Sequence, residues 1–249
     1  MTVSLTVLGC AGTYPGPSRA CSSYLVQCQG YRLLLDCGNG SLCNLQQRVG
    51  LSDIDAVIVS HLHHDHVADI IGLYYGLRLH PDGPRSVPVH GPAGAFDHLA
   101  RLIDDRENFA RHCQFTVAAA GDHLELGPFR VALFEAAHPV ETLASRIEVD
   151  GRVLAYSGDS GPTPQLSLAA RDADLFLADA TWLERNKPPL PNLHMTGAEA
   201  GAQAEDAGAA RLLLTHLFPA TDPTEVAAEA ADRYDGEILV ARDLLEVTL

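Results

Sequence analysis

Four histidines and an aspartate crowd into His61-Leu62-His63-His64-Asp65-His66, directly after the apolar run Ala56-Val57-Ile58-Val59. Neighbouring imidazoles add nothing to a hydrophobic core and are poor helix formers. The chain has 12 histidines in 249 residues, so a cluster this dense reads as a metal site in preference to a solvated polar turn. The apolar run before it has the length and β-branched content of a buried strand. A fold compatible with this stretch must bring a strand end to a point where further donors can converge.

The remaining apolar runs supply them. Strands are expected at 5–8, 23–26, 32–35, 56–59, 130–134, 152–156, 175–178, 211–215 and 237–240. Just past the ends of five of these strands lie His61 to His66, His138, Asp159, Asp179 and His216. Ligand sites of open α/β sheets sit at the carboxyl ends of strands. In an extended segment alternate side chains share a side, so His61 and His63 can grip one ion. Asp65 and His66 then turn toward a second position, and His64 points away. A carboxylate offers two oxygens, which makes Asp159 the natural bridge between two ions. His138 completes one ion and His216 the other. Imidazole and carboxylate without thiolate suit zinc, with manganese or iron as alternatives. Two divalent ions are therefore expected.

Helical signals separate the strands. Ile70, Ile71, Tyr74 and Leu77 recur at helical spacing, Thr196-Gly-Ala-Glu199 reads as a capping box, and Asp222-Pro-Thr-Glu225 opens a helix with proline at its first position. Strands interleaved with helices indicate an α/β class. Strand clusters followed by helices on both sides of residue 120 suggest two similar halves within one domain, 1–249. The six cysteines show no C-x-x-C spacing and are expected to be buried and reduced. The amino-terminal stretch has no basic region followed by an apolar one, and no apolar run reaches the ~18 residues of a membrane span. A cytoplasmic protein without a membrane partner is expected. Asp plus Glu outnumber Lys plus Arg 32 to 17, for a net charge of −15. Phosphate backbones are held by excess Lys and Arg, so a long nucleic acid is disfavoured. A homodimer is compatible with this reading.

The ordered set His61-x-His63-x-Asp65-His66, His138, Asp159 and His216 resembles the metallo-β-lactamase-fold superfamily. The resemblance implies a four-layer αββα sandwich with a dinuclear site between its sheets. It implies that His61, His63 and His138 bind one ion, that Asp65, His66 and His216 bind the other, and that Asp159 bridges. His194-Met-Thr196, Leu213-Leu-Thr-His216 and Leu177-Ala-Asp179-Ala-Thr-Trp182 are similar to the phosphodiesterase branch that contains the tRNA 3′-processing ribonucleases. Those carry a glutamate at the position of Asp179, which orients the histidine at the position of His194. They also carry a basic tRNA-holding arm, commonly between the segments of His138 and Asp159. Here that interval spans only 21 positions and reads as two strands and a turn. Ser22-Ser-Tyr-Leu-Val26, Ala137-His-Pro-Val-Glu141 and Tyr156-Ser-Gly-Asp159 make the layout most similar to bacterial atypical class II cyclic-nucleotide phosphodiesterases. Relatives of that group have Pro-Pro-Trp after the last ligand, where this chain has Leu217-Phe-Pro-Ala-Thr221.

The expected reaction is hydrolysis of a small phosphodiester such as 3′,5′-cyclic AMP. Its departing alkoxide needs a proton, which gives a general acid a role worth ~10²–10⁴-fold. His194, Asp179 and Asp65 are the candidate catalytic residues, with His194 as the acid. A lactonase or thioesterase could use the same ligand set but need not require His194, and a non-enzymatic metal scaffold would turn over no ester. Weaker signals are the glycine loop Gly9 to Gly16 as a phosphate contact, Arg19, the rings of Tyr14, Trp182 and Phe218 as stacking partners or core, and the proline-rich loop 187–191. His80, His90, His98, His112 and His123 read as surface or turn residues.

Overall fold

The apolar runs assemble into two sheets of seven strands. A computed structural model describes residues 2–190 and 193–249. The first sheet comprises β1 (Ser4–Gly9), β2 (Ser23–Cys28), β3 (Tyr31–Leu35), β4 (Ala56–Ile58), β5 (Val87–Gly91), β6 (Cys113–Val117) and β14 (Glu246–Thr248), ordered β14-β1-β2-β3-β4-β5-β6. The second comprises β7 (His123–Leu126), β8 (Phe129–Glu135), β9 (Leu143–Val149), β10 (Arg152–Tyr156), β11 (Leu175–Asp179), β12 (Arg211–Thr215) and β13 (Glu237–Val240), in sequential order. From one edge to the other, each sheet has three antiparallel pairings followed by three parallel ones. The halves expected on either side of residue 120 therefore share one topology, except that the chain's last strand returns to finish the first sheet.

Three apolar seams define the layers. One lies between the sheets and joins Leu5, Tyr24 and Leu33 to Phe129, Leu154 and Leu213. A second packs the first sheet against α1 (Ser41–Leu45), α2 (His64–Val67), α3 (Ile70–Arg78), α4 (Ala95–Leu99) and α5 (Arg106–His112). A third packs the second sheet against α6 (Pro164–Ala169), α7 (Gly197–Ala207) and α8 (Pro223–Ala231). The result is the αββα order.

The local signals are realised where they were read. Thr196 Oγ1 accepts from the Glu199 amide while Glu199 Oε2 accepts from the Thr196 amide, closing the capping box of α7. Asp222 accepts from the Thr224 amide ahead of Pro223 in α8. Ile70, Tyr74 and Leu77 are buried on α3, whereas Ile71 is only half-buried. The expected interval between His138 and Asp159 contains β9 and β10, joined at Asp150-Gly151.

β5, β6, β7 and β14 were not expected. β5 reads Val-Pro-Val-His-Gly, and proline and glycine argue against a strand. β6, β7 and β14 are mostly polar or exposed edge segments whose pairing depends on the neighbour they meet. All six cysteines are free; five are buried and Cys43 is exposed, against expectation. Among the described residues no helix is long and apolar enough to cross a membrane. Of the proline-rich loop 187–191, Pro191 lies outside the described residues.

Candidate metal centre

The carboxyl ends of β4, β8, β10, β11 and β12 meet at one point between the sheets. The structure brings all seven expected ligands there, in two groups that share Asp159. His61, His63, His138 and Asp159 form one, and Asp65, His66, Asp159 and His216 the other; within each group the donor atoms all lie within 4.8 Å of one another. In the first, His61 Nε2 is 3.0 Å from His63 Nδ1, His138 Nε2 is 3.2 Å from His63 Nδ1, and Asp159 Oδ2 is 3.4 Å from His61 Nε2. In the second, His216 Nε2 is 3.2 Å from both Asp65 Oδ2 and Asp159 Oδ1, and His66 Nε2 is 3.2 Å from Asp159 Oδ1. The two oxygens of Asp159 thus face different groups.

These separations match a metal site. Tetrahedral zinc with bonds of ~2.0–2.1 Å has donor–donor edges of about 3.3–3.4 Å. His66 Nε2 and Asp159 Oδ1 are both buried and neither has a hydrogen-bond partner. Buried polar atoms left this way are costly, and their convergence is the pattern of a cation site. His64 is exposed and takes no part.

The opposite ring nitrogens set the tautomers. His66 Nδ1 donates to Asp36 Oδ2 at 2.7 Å, and His138 Nδ1 donates to the Leu193 carbonyl at 2.8 Å. Ser60 Oγ donates to Asp36 Oδ2, so it accepts from His61 Nδ1 at 3.0 Å. Thr181 Oγ1 donates to Asp179 Oδ1, so it accepts from His216 Nδ1 at 2.8 Å. In all four histidines Nδ1 carries a proton and Nε2 faces inward, the orientation that metal-ligating imidazoles require. Burial holds the pKa values of His61, His63 and His138 below the ordinary histidine value, that of His138 to about 4, which keeps them neutral. Burial opposes the ionised form of Asp65, but His216 and His66 overcome it and hold the carboxyl well below the usual range.

Sequence reading missed the residues behind the donors. Asp36 is fully buried and accepts from the Ser60 amide, Ser60 Oγ, His66 Nδ1 and the Tyr156 hydroxyl. It follows Leu33-Leu34-Leu35, so the strand-end rule that found the ligands would have found it too. Ser60, directly after 56–59, meets the same rule, whereas Tyr156 and Thr181 gave no such signal. The Gly9 to Gly16 loop serves the site by close packing and one amide: a Cβ on Gly12 would lie 2.6 Å from His216 Nδ1, and the Thr13 amide donates to Asp65 Oδ2 at 2.6 Å. His112 is buried at the end of α5, with Nδ1 2.6 Å from the Arg85 carbonyl, and is not the surface or turn residue expected. The tight turn after β12 places His216 at φ 55°, a left-handed conformation that non-glycine residues adopt at functional sites when the surroundings enforce it.

His194 and Asp179 complete the arrangement. Asp179 ends β11, where its Oδ1 accepts from the Thr181 amide and hydroxyl and its Oδ2 from the Ser160 amide. His194 Nδ1 lies 2.7 Å from Asp179 Oδ2. The His194 ring stacks on His216 at 5.0 Å between centroids and leans on His138 at 5.3 Å, touching one ring from each donor group. Burial disfavours its charged form, but Asp179 outweighs burial and raises its pKa to about 9. Chemically, the site offers two adjoining cation positions and an imidazole held through Nδ1 by Asp179, with its Nε2 left for a reacting group.

Comparison with known proteins identifies the family. Residues 31–217 match the Beta-lactamase superfamily domain. The chain belongs to that superfamily. It is a hydrolase of the metallo-β-lactamase fold, on the tRNase Z-like branch. It is 36% identical over 245 residues to an uncharacterized protein of Mycobacterium tuberculosis, covering 96% of this chain and 89% of that protein. The probable metallo-hydrolase YhfI of Bacillus subtilis is 31% identical over 243 residues, covering 96% of this chain and 97% of YhfI, and its crystal structure superposes with a TM-score of 0.90 over the whole of both chains. Ribonuclease Z of Haloferax volcanii is 30% identical over 298 residues, covering 98% of this chain and 94% of that enzyme.

Proposed function

We propose that the chain hydrolyses a small phosphodiester and that the substrate is a 3′,5′-cyclic nucleotide such as cyclic AMP. The observation that carries this reading is the buried His194–Asp179 contact set against both donor groups. A lactone or thioester can be opened without a dedicated acid. A phosphodiester that releases an alkoxide gains most from one. A relative named ribonuclease Z supports phosphodiester chemistry on this framework.

Two divalent ions, zinc first with manganese or iron as alternatives, would be held by His61, His63, His138 and one oxygen of Asp159, and by Asp65, His66, His216 and the other. When bound, such ions supply Lewis acidity toward phosphoryl oxygens and a lower pKa for water. The chain's own residues do the rest. Asp159 spans the two positions through one side chain. Asp65 is ionised and anchored by the Thr13 amide, so it serves as a ligand and not as a proton donor. Asp179 accepts the Nδ1 proton of His194 and keeps the imidazolium in place. His194 Nε2 then gives its proton to the departing oxygen, and solvent restores it. The acidic balance and the short β9–β10 hairpin, where the tRNA-processing enzymes commonly carry an arm, favour a small substrate over a long RNA.

The test is metal analysis of the purified protein together with rates on bis-p-nitrophenyl phosphate, cyclic nucleotides, lactones and thioesters. Close to two ions per chain with preference for a cyclic nucleotide is expected. A lactone or thioester turned over much faster than every phosphodiester would assign the site to acyl transfer instead.

A further inference from the structure

Two loops beside the site carry rings that the proposed proton transfer does not use. They are joined by backbone hydrogen bonds, from the Gly12 amide to the Leu217 carbonyl at 3.0 Å and from the Leu217 amide to the Cys10 carbonyl at 2.9 Å. The first loop presents Tyr14, next to Thr13, whose amide holds Asp65. The second presents Phe218, two positions past His216. Tyr14 and Phe218 meet edge to face with centroids 5.7 Å apart, and Phe218 stacks on Trp182 at 5.4 Å and 24°. Trp182 follows Thr181, the partner of His216, and its amide donates to the Met195 carbonyl beside His194 at 3.1 Å. The three rings form one wall tied to Asp65, His216 and His194.

This wall is not ordinary core. Tyr14 is 45% exposed at its end. The indole Nε1 of Trp182 is buried and has no hydrogen-bond partner, although buried indoles normally find one. Aromatic rings that begin at the surface with Tyr14 and sit on the loops that hold Asp65 and His216 are suited to a planar ring carried by the substrate, since any heterocycle offers a π-face for stacking.

We propose that the Tyr14–Phe218–Trp182 wall binds the planar group of the ester's alcohol component, a heterocycle such as a nucleobase, and that Tyr14 is the specificity-determining residue. The inference rests on the phosphodiesterase reading and names the part of the substrate that the site would select.

Trp182 is the chain's single tryptophan, so its emission reports on the wall without any turnover. The experiment titrates the metal-loaded protein with adenosine 5′-monophosphate and with ribose 5-phosphate, which differ only in the base. The nucleotide should perturb the emission and bind about tenfold more tightly or better, as one stacked base warrants. Tyr14→Leu should remove most of that advantage and leave ribose 5-phosphate binding unchanged. Equal affinity for the two ligands in the wild-type protein, or an unchanged nucleotide affinity in Tyr14→Leu, would overturn the proposal. A protein that shows the expected binding pattern yet cleaves no phosphodiester would retain the wall and refute the parent reading.

Discussion

Asp179 Oδ2 lies 2.7 Å from His194 Nδ1 although the carboxylate side chain is one methylene shorter than the glutamate of the tRNA 3′-processing enzymes. The contact closes because the strand end, and not side-chain reach, positions the acid. The Asp179 amide donates to Ser157 Oγ at 2.9 Å, and Ser160 and Thr181 hold the carboxylate oxygens. His194 arrives from the other side on the segment that starts α7.

Replacing His194 by alanine should leave fold and metal content unchanged and lower kcat on cyclic AMP by ~10²–10⁴-fold. The loss on bis-p-nitrophenyl phosphate should be much smaller, because the phenolate departs unaided. Asp179→Asn should show a milder form of the same asymmetry. Equal losses on both substrates would remove His194 from proton transfer.

Asp159→Ala should cut bound metal from close to two ions per chain to one or fewer, as read by elemental analysis after dialysis. Its two oxygens face separate donor groups, so a single substitution reaches both. Retention of full metal content would show that the two groups are filled independently of it.

Asp36→Asn should destabilise the protein by about 2–5 kcal/mol in urea denaturation, because it alters a fully buried acceptor of four hydrogen bonds. The second metal position should weaken with it, since His66 loses its fixed tautomer. Wild-type stability and metal affinity together would make Asp36 a bystander.

Gly12→Ala should disturb His216, whose Nδ1 would lie 2.6 Å from the new methyl group. Overpacking of this kind typically costs ~1–3 kcal/mol. Thermal melting combined with metal titration checks it; an unshifted melting point and two normal sites would mean the loop yields freely.

The chelator-treated protein should lose stability as pH rises from about 6.5, the ordinary histidine value, through about 9, the value to which His194 is raised. Burial opposes the charged forms of His194 and His66, but Asp179 and Asp159 for the first, and Asp159 and Asp36 for the second, raise both. A raised pKa stabilises the fold fully below the unfolded value and ceases to do so above the folded one. His194→Gln should shrink the slope in urea denaturations run across that range. A flat wild-type profile would contradict the raised value.

The amino-acid sequence on its own determined the α/β class and where along the chain the candidate metal donors stand, and it suggested the two halves. Strand content is written locally in Val-, Ile- and Leu-rich runs, and donors at strand ends need no knowledge of distant partners. His61, Asp159 and His216 are readable for that reason. Only the tertiary structure decided what stands behind them. Asp36 and Tyr156 are 120 positions apart and meet because β3 and β10 belong to facing sheets. Thr181 and His216 are 35 positions apart and meet because β11 and β12 run side by side in register. The same holds for β5, whose proline and glycine argue against a strand until the pairing of β4 and β6 on either side satisfies it. A hydrogen-bond partner is selected by packing between elements, and no periodicity along the chain records that choice.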